Sequence, residues 1–178
     1  KTETGVVESI KSSQAAPAQA IIKNSENADE LIVEFKFAMI GHYNASRFGI
    51  KLFSTSSNLS LLAMIGAGSK KANYAALAAV IEKSPINNLT SPGVKAESKA
   101  ETTKQPIPTY RWHKGTMIYS KDGNVSLAVD DKLLLDLNIK SPQFKNVTFD
   151  RILFGGNFYK NTKSRPLFSS IKIIKVNE

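Results

Sequence analysis

A chain of 178 residues is long enough for one domain with a hydrophobic core, whereas two domains would each be small. It contains no cysteine, which excludes disulfides, thiolate metal sites and a thiol nucleophile. Its longest apolar runs, 61–67 and 75–81, are too short for a transmembrane helix. The opening KTETG lacks the apolar core of a signal peptide, so either none existed, which implies cytosol, or it was removed, which implies export.

The formal net charge of +9 raises the question of an anionic partner. Only four of the 24 basic residues are arginine, the side chain that favours bidentate phosphate recognition, so nucleic acid is disfavoured. Most lysines are scattered and are predicted to lie on solvated strand faces and edges. The one local excess, at 160–175, leaves an anionic glycan or polymer open as a partner.

The first half of the chain predicts several strands. A short edge strand is expected at 6–10, followed by a surface connection. Residues 31–40 place large apolar side chains on one face and Glu34 and Lys36 on the other, which predicts a long central strand. A further strand at 49–54 alternates Ile50 and Leu52 with Lys51 and Phe53.

The middle of the chain is less regular. Segments 59–66 and 72–83 could be helical because of their alanines, but the surrounding strand signals favour a hairpin. Residues 84–108 are rich in proline, serine, threonine, lysine and glutamate, and few large apolar groups interrupt them. This stretch is predicted to be a flexible loop inserted in a single domain spanning 1–178.

A β-meander of three strands is predicted at 112–137. Asp122-Gly123 suits a two-residue type I′ hairpin turn, and a second turn follows at Asp130-Asp131. Trp112, the sole tryptophan, is expected to pack in the core beneath the meander. His113 is expected to be structural or half-exposed.

Two more strands complete the chain. One is predicted at 146–154, with Val147, Phe149 and Arg151 on one face, and ends at Gly155-Gly156. The last is predicted at 167–176, with Leu167, Ile171 and Ile173 on one face. About ten strands and no convincing helix predict an all-β, two-sheet antiparallel sandwich.

The C-terminal third resembles the concanavalin A-like lectin/glucanase superfamily, and within it the laminin G-like jelly roll. That pattern has a Trp-His pair opening a strand, an Asp-Gly hairpin, an acidic turn before a lysine, a Gly-Gly strand and a closing strand that begins with Phe. The matching elements are Trp112-His113, Tyr119, Asp122-Gly123, Val129-Asp130, Lys132, ILFGGN and FSSIKIIKVNE. Asp131 and Ser169-Ser170 depart from it, because glycine is common at these places in the family.

The resemblance leaves the enzymology open. The E-x-D-x-x-E strand of the glucanase branch is missing, so a retaining glycosidase of that type is disfavoured. VSLAVDDKLLLDL and LFSSIKIIKV are similar to 3-keto-disaccharide hydrolase-like domains, but the G-x-E-x-Q-x-x-D strand of that group is also missing. No catalytic residue is therefore assigned.

Two loops carry the candidate ligand-binding residues, because both combine aromatic, amide and basic side chains. They contribute His42, Tyr43 and Arg47 from the first loop, and Asn157, Tyr159 and Arg165 from the second. The resemblance also implies calcium as a cofactor, for which Asp130, Asp131 and Asp150 are weak candidates.

These observations predict a noncatalytic carbohydrate-binding, lectin-like or adhesion module. Its expected partner is a glycan or polysaccharide, with an anionic one open, and its expected location is extracellular, periplasmic or at a bacterial surface. A glycoside hydrolase-like enzyme and a structural protein-interaction module are the alternatives.

Overall fold

The structure is a computed structural model, which describes residues 2–8, 18–23, 25, 28–40, 46–67, 74–83, 93–102, 107–108, 110–156 and 165–177. Twelve strands account for most of them, against about ten predicted. They are β1 (Thr2–Glu8), β2 (Ala18–Ile21), β3 (Glu30–Ile40), β4 (Ser46–Ser54), β5 (Leu59–Ala67), β6 (Tyr74–Glu82), β7 (Gly93–Thr102), β8 (Trp112–Ser120), β9 (Asn124–Val129), β10 (Lys132–Asn138), β11 (Arg151–Gly156) and β12 (Arg165–Val176). A short 3-10 helix spans Pro142–Phe144.

The strands form two six-stranded sheets. Sheet I has the order β1-β12-β3-β8-β9-β10, and sheet II has the order β2-β11-β4-β5-β6-β7. Every strand pair in both sheets is antiparallel. The predicted all-β, two-sheet antiparallel sandwich is confirmed, and the strand at 31–40 is central as predicted, since β3 lies between β12 and β8.

The main core fills the space between the sheets. Alternate residues of β3 and β8 point inward from sheet I, and they meet the inward residues of β4, β5, β6 and β11. Four phenylalanines are in ring contact there, with centroids 4.4–5.6 Å apart: Phe35, Phe37, Phe48 and Phe168. Burying this apolar surface is what holds the sheets together.

The meander is confirmed as β8, β9 and β10, but its type I′ turn is the second connection, not the first. In the first turn only Gly123 has a positive φ, of 96°, and its amide donates to the Ser120 carbonyl, so three residues form the connection. The predicted two-residue type I′ turn at Asp122-Gly123 is therefore wrong. Asp130 and Asp131 instead have φ of 50° and 61°, and Lys132 pairs with Val129, which is the type I′ pattern.

Three strand predictions need correction. β1 covers Thr2–Glu8 and so begins earlier than the predicted 6–10. β11 begins only at Arg151, and Val147 and Phe149 before it are buried in the core, whereas Arg151, predicted to share their face, is exposed. In β12 the register shifts between Phe168 and Ser170. This bulge reverses the alternation, so Leu167 faces outward and Phe168 packs against the core.

Two predictions concern segments that lie in sheet II, and one of them is confirmed while the other is wrong. The 59–66 and 72–83 segments are strands paired as a hairpin, β5 with β6. The 84–108 stretch, predicted to be a loop, contains β7, which pairs with β6 along the sheet edge. Its composition is polar because an edge strand leaves one face and one edge in solvent, while Ala96 packs against the core. Residues 84–92 and 103–106 lie outside the described residues.

No helix in the described part of the chain is long and apolar enough to cross a membrane.

Candidate functional site

The outer faces of the two sheets differ in accessibility. On the inner strands of sheet II most outward side chains are themselves buried, and a second apolar cluster forms there from Phe53, Leu62, Ala78, Val80 and Leu153. Lys51 also lies on that buried face, contrary to the prediction of solvated lysines. On sheet I the outward residues of β8, from Trp112 to Ser120, are exposed or half-exposed. A ligand can therefore reach sheet I from outside.

The most unusual part of this open face is the segment Tyr110-Arg111-Trp112, where β8 begins. Tyr110 is 59% exposed and Trp112 is 44% exposed, which is high for large aromatic side chains. Tyr110 also has a φ of 61°, a left-handed conformation that bulky residues rarely adopt. Interactions elsewhere must therefore hold this backbone in place.

Those interactions centre on His113, the residue after Trp112, which points inward and is only 1% exposed. Its Nε2 lies 2.7 Å from the Pro108 carbonyl oxygen, and its Nδ1 lies 2.8 Å from Oδ2 of Asp130. The ring also packs against Phe37, with centroids 5.5 Å apart. His113 thus links the segment before β8 to the turn between β9 and β10.

Asp130 completes this cluster from the type I′ turn. Its Oδ1 accepts the Lys114 amide at 3.0 Å, and its Oδ2 also accepts Arg111 Nη2 at 3.2 Å. Partial burial acts to raise the pKa of Asp130, but the hydrogen bonds from His113, Lys114 and Arg111 and the charge of His113 outweigh it and hold the pKa below its usual range. Asp130 is therefore an ionised acceptor for three donors.

An apolar strip extends from Trp112 across the sheet. In the strand register Trp112 lies opposite Ala38, which in turn lies opposite Leu167 on the other side. Leu167 is 39% exposed. The Lys36 ammonium lies 5.9 Å from the centre of the Trp112 ring, within range of a cation–π contact. The strip therefore offers an apolar surface beside a positive charge.

A ladder of opposite charges follows the strip along the same face. Glu34 lies between two lysines, with Oε1 3.3 Å from Lys114 Nζ and Oε2 3.6 Å from Lys172 Nζ. All three side chains are partly exposed, so these ion pairs contribute little to stability. They do make the centre of the face polar, and the three side chains together carry a formal charge of +1.

At the far end of the face a depression of about 230 Å³ lies over β8, β9 and β10. Its lining mixes the polar side chains of Ser120, Asn124, Ser126, Asp136 and Asn138 with the apolar residues Ile118, Val125 and Leu137. The two asparagines are ordered by hydrogen bonds, since Asn138 Nδ2 donates to Asn124 Oδ1 at 2.6 Å. Such a lining suits a ligand with hydroxyl groups.

The residues predicted to bind ligand cannot be placed at this face. His42, Tyr43, Asn157 and Tyr159 lie outside the described residues. The backbones of Arg47 and Arg165 are in β4 and β12, but their side chains lie outside the described part as well. The predicted sites on these two loops remain predictions.

The three calcium candidates are not brought together. Asp130 and Asp131 form the β9–β10 turn of sheet I, whereas Asp150 precedes β11 of sheet II and accepts the amide and hydroxyl of Thr55 at 2.7 and 2.6 Å. Among the described residues no group of three potential ligands is close enough to hold a metal ion. Turn and loop hydrogen bonds account for Asp130 and Asp150.

The prediction that Trp112 packs in the core is wrong. Inward-facing residues of β8 are His113, Gly115, Met117 and Tyr119, and alternation then places Trp112 outside. The phase of that alternation was the signal available in the sequence, since Met117 and Tyr119 suit a core. Sequence reasoning also missed Tyr110, Arg111 and Lys36, which only the tertiary structure brings beside Trp112.

No protein-family profile and no curated protein sequence matches the chain. Solved structures do. A Caenorhabditis elegans galectin has a TM-score of 0.59 at 11% identity, over 94% of each chain. A family 16 endo-glucanase from Bacteroides ovatus has a TM-score of 0.53 at 12% identity, over 82% of this chain and 68% of that one. A botulinum neurotoxin binding domain has a TM-score of 0.55 at 14% identity, over 99% of this chain and 44% of that one.

These structures are concanavalin A-like jelly rolls, and the chain has that fold. The chain therefore shares its jelly-roll fold with that galectin and that family 16 endo-glucanase. Identities this low define the fold alone, so the function has to be argued from the open face of sheet I.

Proposed function

We propose that the chain is a noncatalytic carbohydrate-binding or adhesion module that binds a glycan or polysaccharide on the outer face of sheet I. The observation that carries this proposal is the exposed ring of Trp112, 44% accessible on an open sheet face and flanked by Tyr110 and Lys36. The galectin and glucanase neighbours support it as fold analogy only.

The chemistry of the face suits a sugar chain. An aromatic ring offers a broad apolar surface for the C–H face of a sugar ring, and the neighbouring polar groups can bond its hydroxyls. The depression at the other end of β8 has polar and apolar lining residues, and its amides and hydroxyls offer further partners for sugar hydroxyls. Ser120 lies eight positions after Trp112 on the extended strand, a distance of about 27 Å. A ligand of several sugar units would contact both ends.

An anionic glycan is the finer form of the proposal. Lys36 lies over the Trp112 ring, and Arg111 and Lys114 flank it on the same segment. Arg111 and Lys114 already contact carboxylates, so Lys36 is the main candidate for an acidic group on the ligand. Attraction of this kind between exposed charges weakens as salt is added.

Binding to a glycan array at low and at moderate salt tests the proposal, with Trp112→Ala as the loss-of-binding variant. We expect hits that Trp112→Ala reduces at least about tenfold, which corresponds to the loss of about 1.4 kcal/mol of contact free energy. Ile21→Ala is the matched control, because Ile21 is 69% exposed but lies on edge strand β2 of sheet II. Lys36→Gln should remove the salt dependence of anionic hits.

Absence of binding at both salt concentrations would contradict a lectin and favour the structural protein-interaction module. The glycoside hydrolase alternative has less support, because it needs two carboxyl groups facing each other across about 5–9.5 Å. On the described part of this face, Glu34 contacts lysines and Asp136 contacts Lys99 at 3.0 Å. Release of reducing sugar from a bound polysaccharide would revive the enzyme.

We also propose that the module is exported to the cell surface, periplasm or medium, a location consistent with its lack of cysteine and with a polysaccharide ligand. Fractionation of the native host with an antibody against the chain tests this, and recovery in the cytosol would contradict it.

A further inference from the structure

We propose that the depression over β8, β9 and β10 is a second binding subsite that accepts hydrogen-bond donors, and that it takes an amino sugar in preference to a neutral or an acidic one. The inference rests on the proposed function, because it treats the depression as part of the same ligand face. The preference itself can be measured at the depression alone, with a monosaccharide.

The direction of the hydrogen bonds in the depression is set by Asp122, in the turn before β9. A carboxylate oxygen can only accept, and Asp122 accepts the backbone amide of Asn124 at 3.1 Å and its side-chain Nδ2 at 2.6 Å. Asn124 therefore presents its Oδ1 on the other side, where it accepts Nδ2 of Asn138 at 2.6 Å. This relay has one direction, and it leaves Oδ1 of Asn138 as an acceptor at the depression.

Two further lining residues add acceptors. Asp136 is bound by Lys99 through Oδ1 at 3.0 Å, and its side chain is 74% exposed, so a ligand can reach the carboxylate. Ser120 donates its hydroxyl proton to Oε1 of Glu30 at 3.1 Å, so its oxygen keeps only acceptor lone pairs. Asp122, Glu30 and Asp136 bring three negative charges against the one positive charge of Lys99, a formal charge of −2. The depression therefore favours a positively charged donor.

The other end of the face has the opposite charge. Lys36 lies over the ring of Trp112 there, and Ser120 at the depression is about 27 Å away along the strand. This separation exceeds the screening length of about 8 Å at physiological salt. The two ends therefore act independently, and an amine at the depression is not repelled by Lys36.

A sugar amine fits the depression better than a hydroxyl or a carboxylate does. An ammonium group has three donors and no acceptor, whereas a carboxylate has only acceptors and would be repelled. The hydrogen bond from Lys99 and its charge lower the pKa of Asp136, which therefore stays ionised in slightly acidic buffer, where the amine is protonated. We expect a glucosamine oligomer to bind about tenfold more tightly than a glucose oligomer, since hydrogen bonds between charged groups are the stronger class.

Calorimetric titration with oligomers of glucose, glucosamine and glucuronate, all of one length and linkage, tests this preference. The net charge of +9 repels a cationic ligand, so tighter binding of the glucosamine oligomer cannot come from the overall charge. Asp136→Asn should remove most of the preference. Asp131→Asn is the matched control, because it removes the same charge from an 88% exposed side chain in the β9–β10 turn.

Asp122→Asn tests the relay without altering a lining residue. An amide can present either its oxygen or its nitrogen, so the variant no longer fixes the direction of Asn124 and Asn138. As a positioning residue, Asp122 should affect the ratio of glucosamine to glucose affinity more than the affinity for glucose itself. An unchanged ratio in both Asp122→Asn and Asp136→Asn overturns the inference.

Nuclear magnetic resonance locates the binding. The side-chain amide signals of Asn124 and Asn138, assigned with Asn138→Leu, should shift on titration with free glucosamine and shift less with glucose. Asp136→Asn should reduce the glucosamine shift to that of glucose. Equal shifts with both sugars in the wild type, or no shift with glucosamine, overturn the inference.

The two proposals fail separately. If glucosamine shifts the Asn138 signals and is preferred, but Trp112→Ala leaves oligomer binding unchanged, the depression is a subsite and the role proposed for Trp112 is wrong. If Trp112→Ala abolishes binding while glucose and glucosamine oligomers bind equally, the proposed function stands and the amino-sugar subsite is wrong.

Discussion

The ammonium of Lys51 lies 2.7 Å from Oε1 of Glu82, and both side chains are buried on the outer face of sheet II. They project from β4 and β6, and Ser60 of β5, between them, donates its hydroxyl to the same carboxylate oxygen. Burial lowers the pKa of Lys51, while the hydrogen bond and charge of Glu82 act to raise it. An ion pair thus lies beside the apolar cluster around Phe53.

We expect the loss of either charged partner alone to destabilise the protein strongly. Lys51→Met leaves the Glu82 carboxylate buried without its cation and should cost about 3–5 kcal/mol of unfolding free energy. The double variant Lys51→Met/Glu82→Met should recover most of that loss, because two packed apolar side chains replace two desolvated charges. Urea unfolding of the wild type and three variants forms the double-mutant cycle.

Lys172→Met is the matched control for this cycle. Lys172 also pairs with a glutamate, at 3.6 Å from Glu34, but its side chain is 41% exposed. Its loss should cost less than about 1 kcal/mol. If the double variant is no more stable than Lys51→Met, the attraction within the ion pair exceeds the free-energy cost of burying its two charges. That result would contradict the prediction.

Gly115 and Phe35 lie opposite each other in the β8–β3 pairing, and the phenylalanine ring occupies the space of a side chain at 115. A Cβ there would come within 2.0 Å of the ring. Gly115→Ala should therefore destabilise by about 1–3 kcal/mol, because the ring must move within a packed core. Thermal unfolding of Gly115→Ala alone and combined with Phe35→Leu measures the coupling. If the stability losses from Gly115→Ala and Phe35→Leu are purely additive, the Phe35 ring is not what disfavours a side chain at 115.

Asp131 stands at the second central position of the type I′ turn with a φ of 61°. Asp131→Gly should stabilise the protein by about 0.5–1 kcal/mol, since glycine adopts this conformation without the Cβ clash. Little is lost with the side chain, which is 88% exposed and 4.0 Å from Lys114 Nζ. Chemical denaturation provides the measurement.

Asp122→Gly is the control for that turn. Asp122 has no positive φ, and its Oδ1 accepts the Asn124 amide at 3.1 Å. The same substitution there should destabilise, because it removes a hydrogen bond and adds backbone freedom. Equal effects at 122 and 131 would contradict the two turn assignments.

The Tyr119 hydroxyl is buried and donates to the carbonyls of Phe144 and Val147 at 3.1 and 3.4 Å. Burial is the main cause that raises the pKa of Tyr119 to about 12, and the charge of Asp122 adds to it. A raised folded-state pKa means that its contribution to stability is complete below the unfolded value of about 10 and is lost as pH rises towards 12.

Tyr119→Phe should cost about 1–3 kcal/mol at pH 8, because two buried carbonyls lose their donor. The difference between wild type and variant should shrink above pH 10, because the tyrosine of the unfolded wild type ionises there while the buried hydroxyl still keeps its proton. Urea unfolding of both proteins at pH 8–11.5 measures this difference and cancels the titration of the lysines. A difference that stays constant with pH would contradict the buried donor.

Local patterns predicted most strands, since alternation is a property of consecutive residues. The meander is the clearest case, because Val125, Leu127 and Val129 alternate with polar or small residues and face the core. The same logic failed at Leu167, where one extra residue in the bulge reverses the faces. It also failed at β7, whose only apolar support comes from its pairing with β6 and from Ala96 at the core.

The candidate site was less predictable than the fold. Trp112 was predicted to pack in the core, although the alternation set by Met117 and Tyr119 places it on the outer face. The hydrogen-bonded cluster that orders the Tyr110–Trp112 segment joins His113 of β8 to Asp130 in the β9–β10 turn. The two residues are 17 positions apart in the sequence. Neither residue carries a local signal that names the other.

The sequence by itself determined the alternation of most strands, the positions of most turns and hence a two-sheet β fold, because each of these depends on neighbouring residues. Only the tertiary structure decided that the outer face of sheet II is buried and that of sheet I is open. That difference depends on which distant segments pack together, and it makes Lys51 a buried ion-pair partner while leaving Trp112 exposed to a ligand.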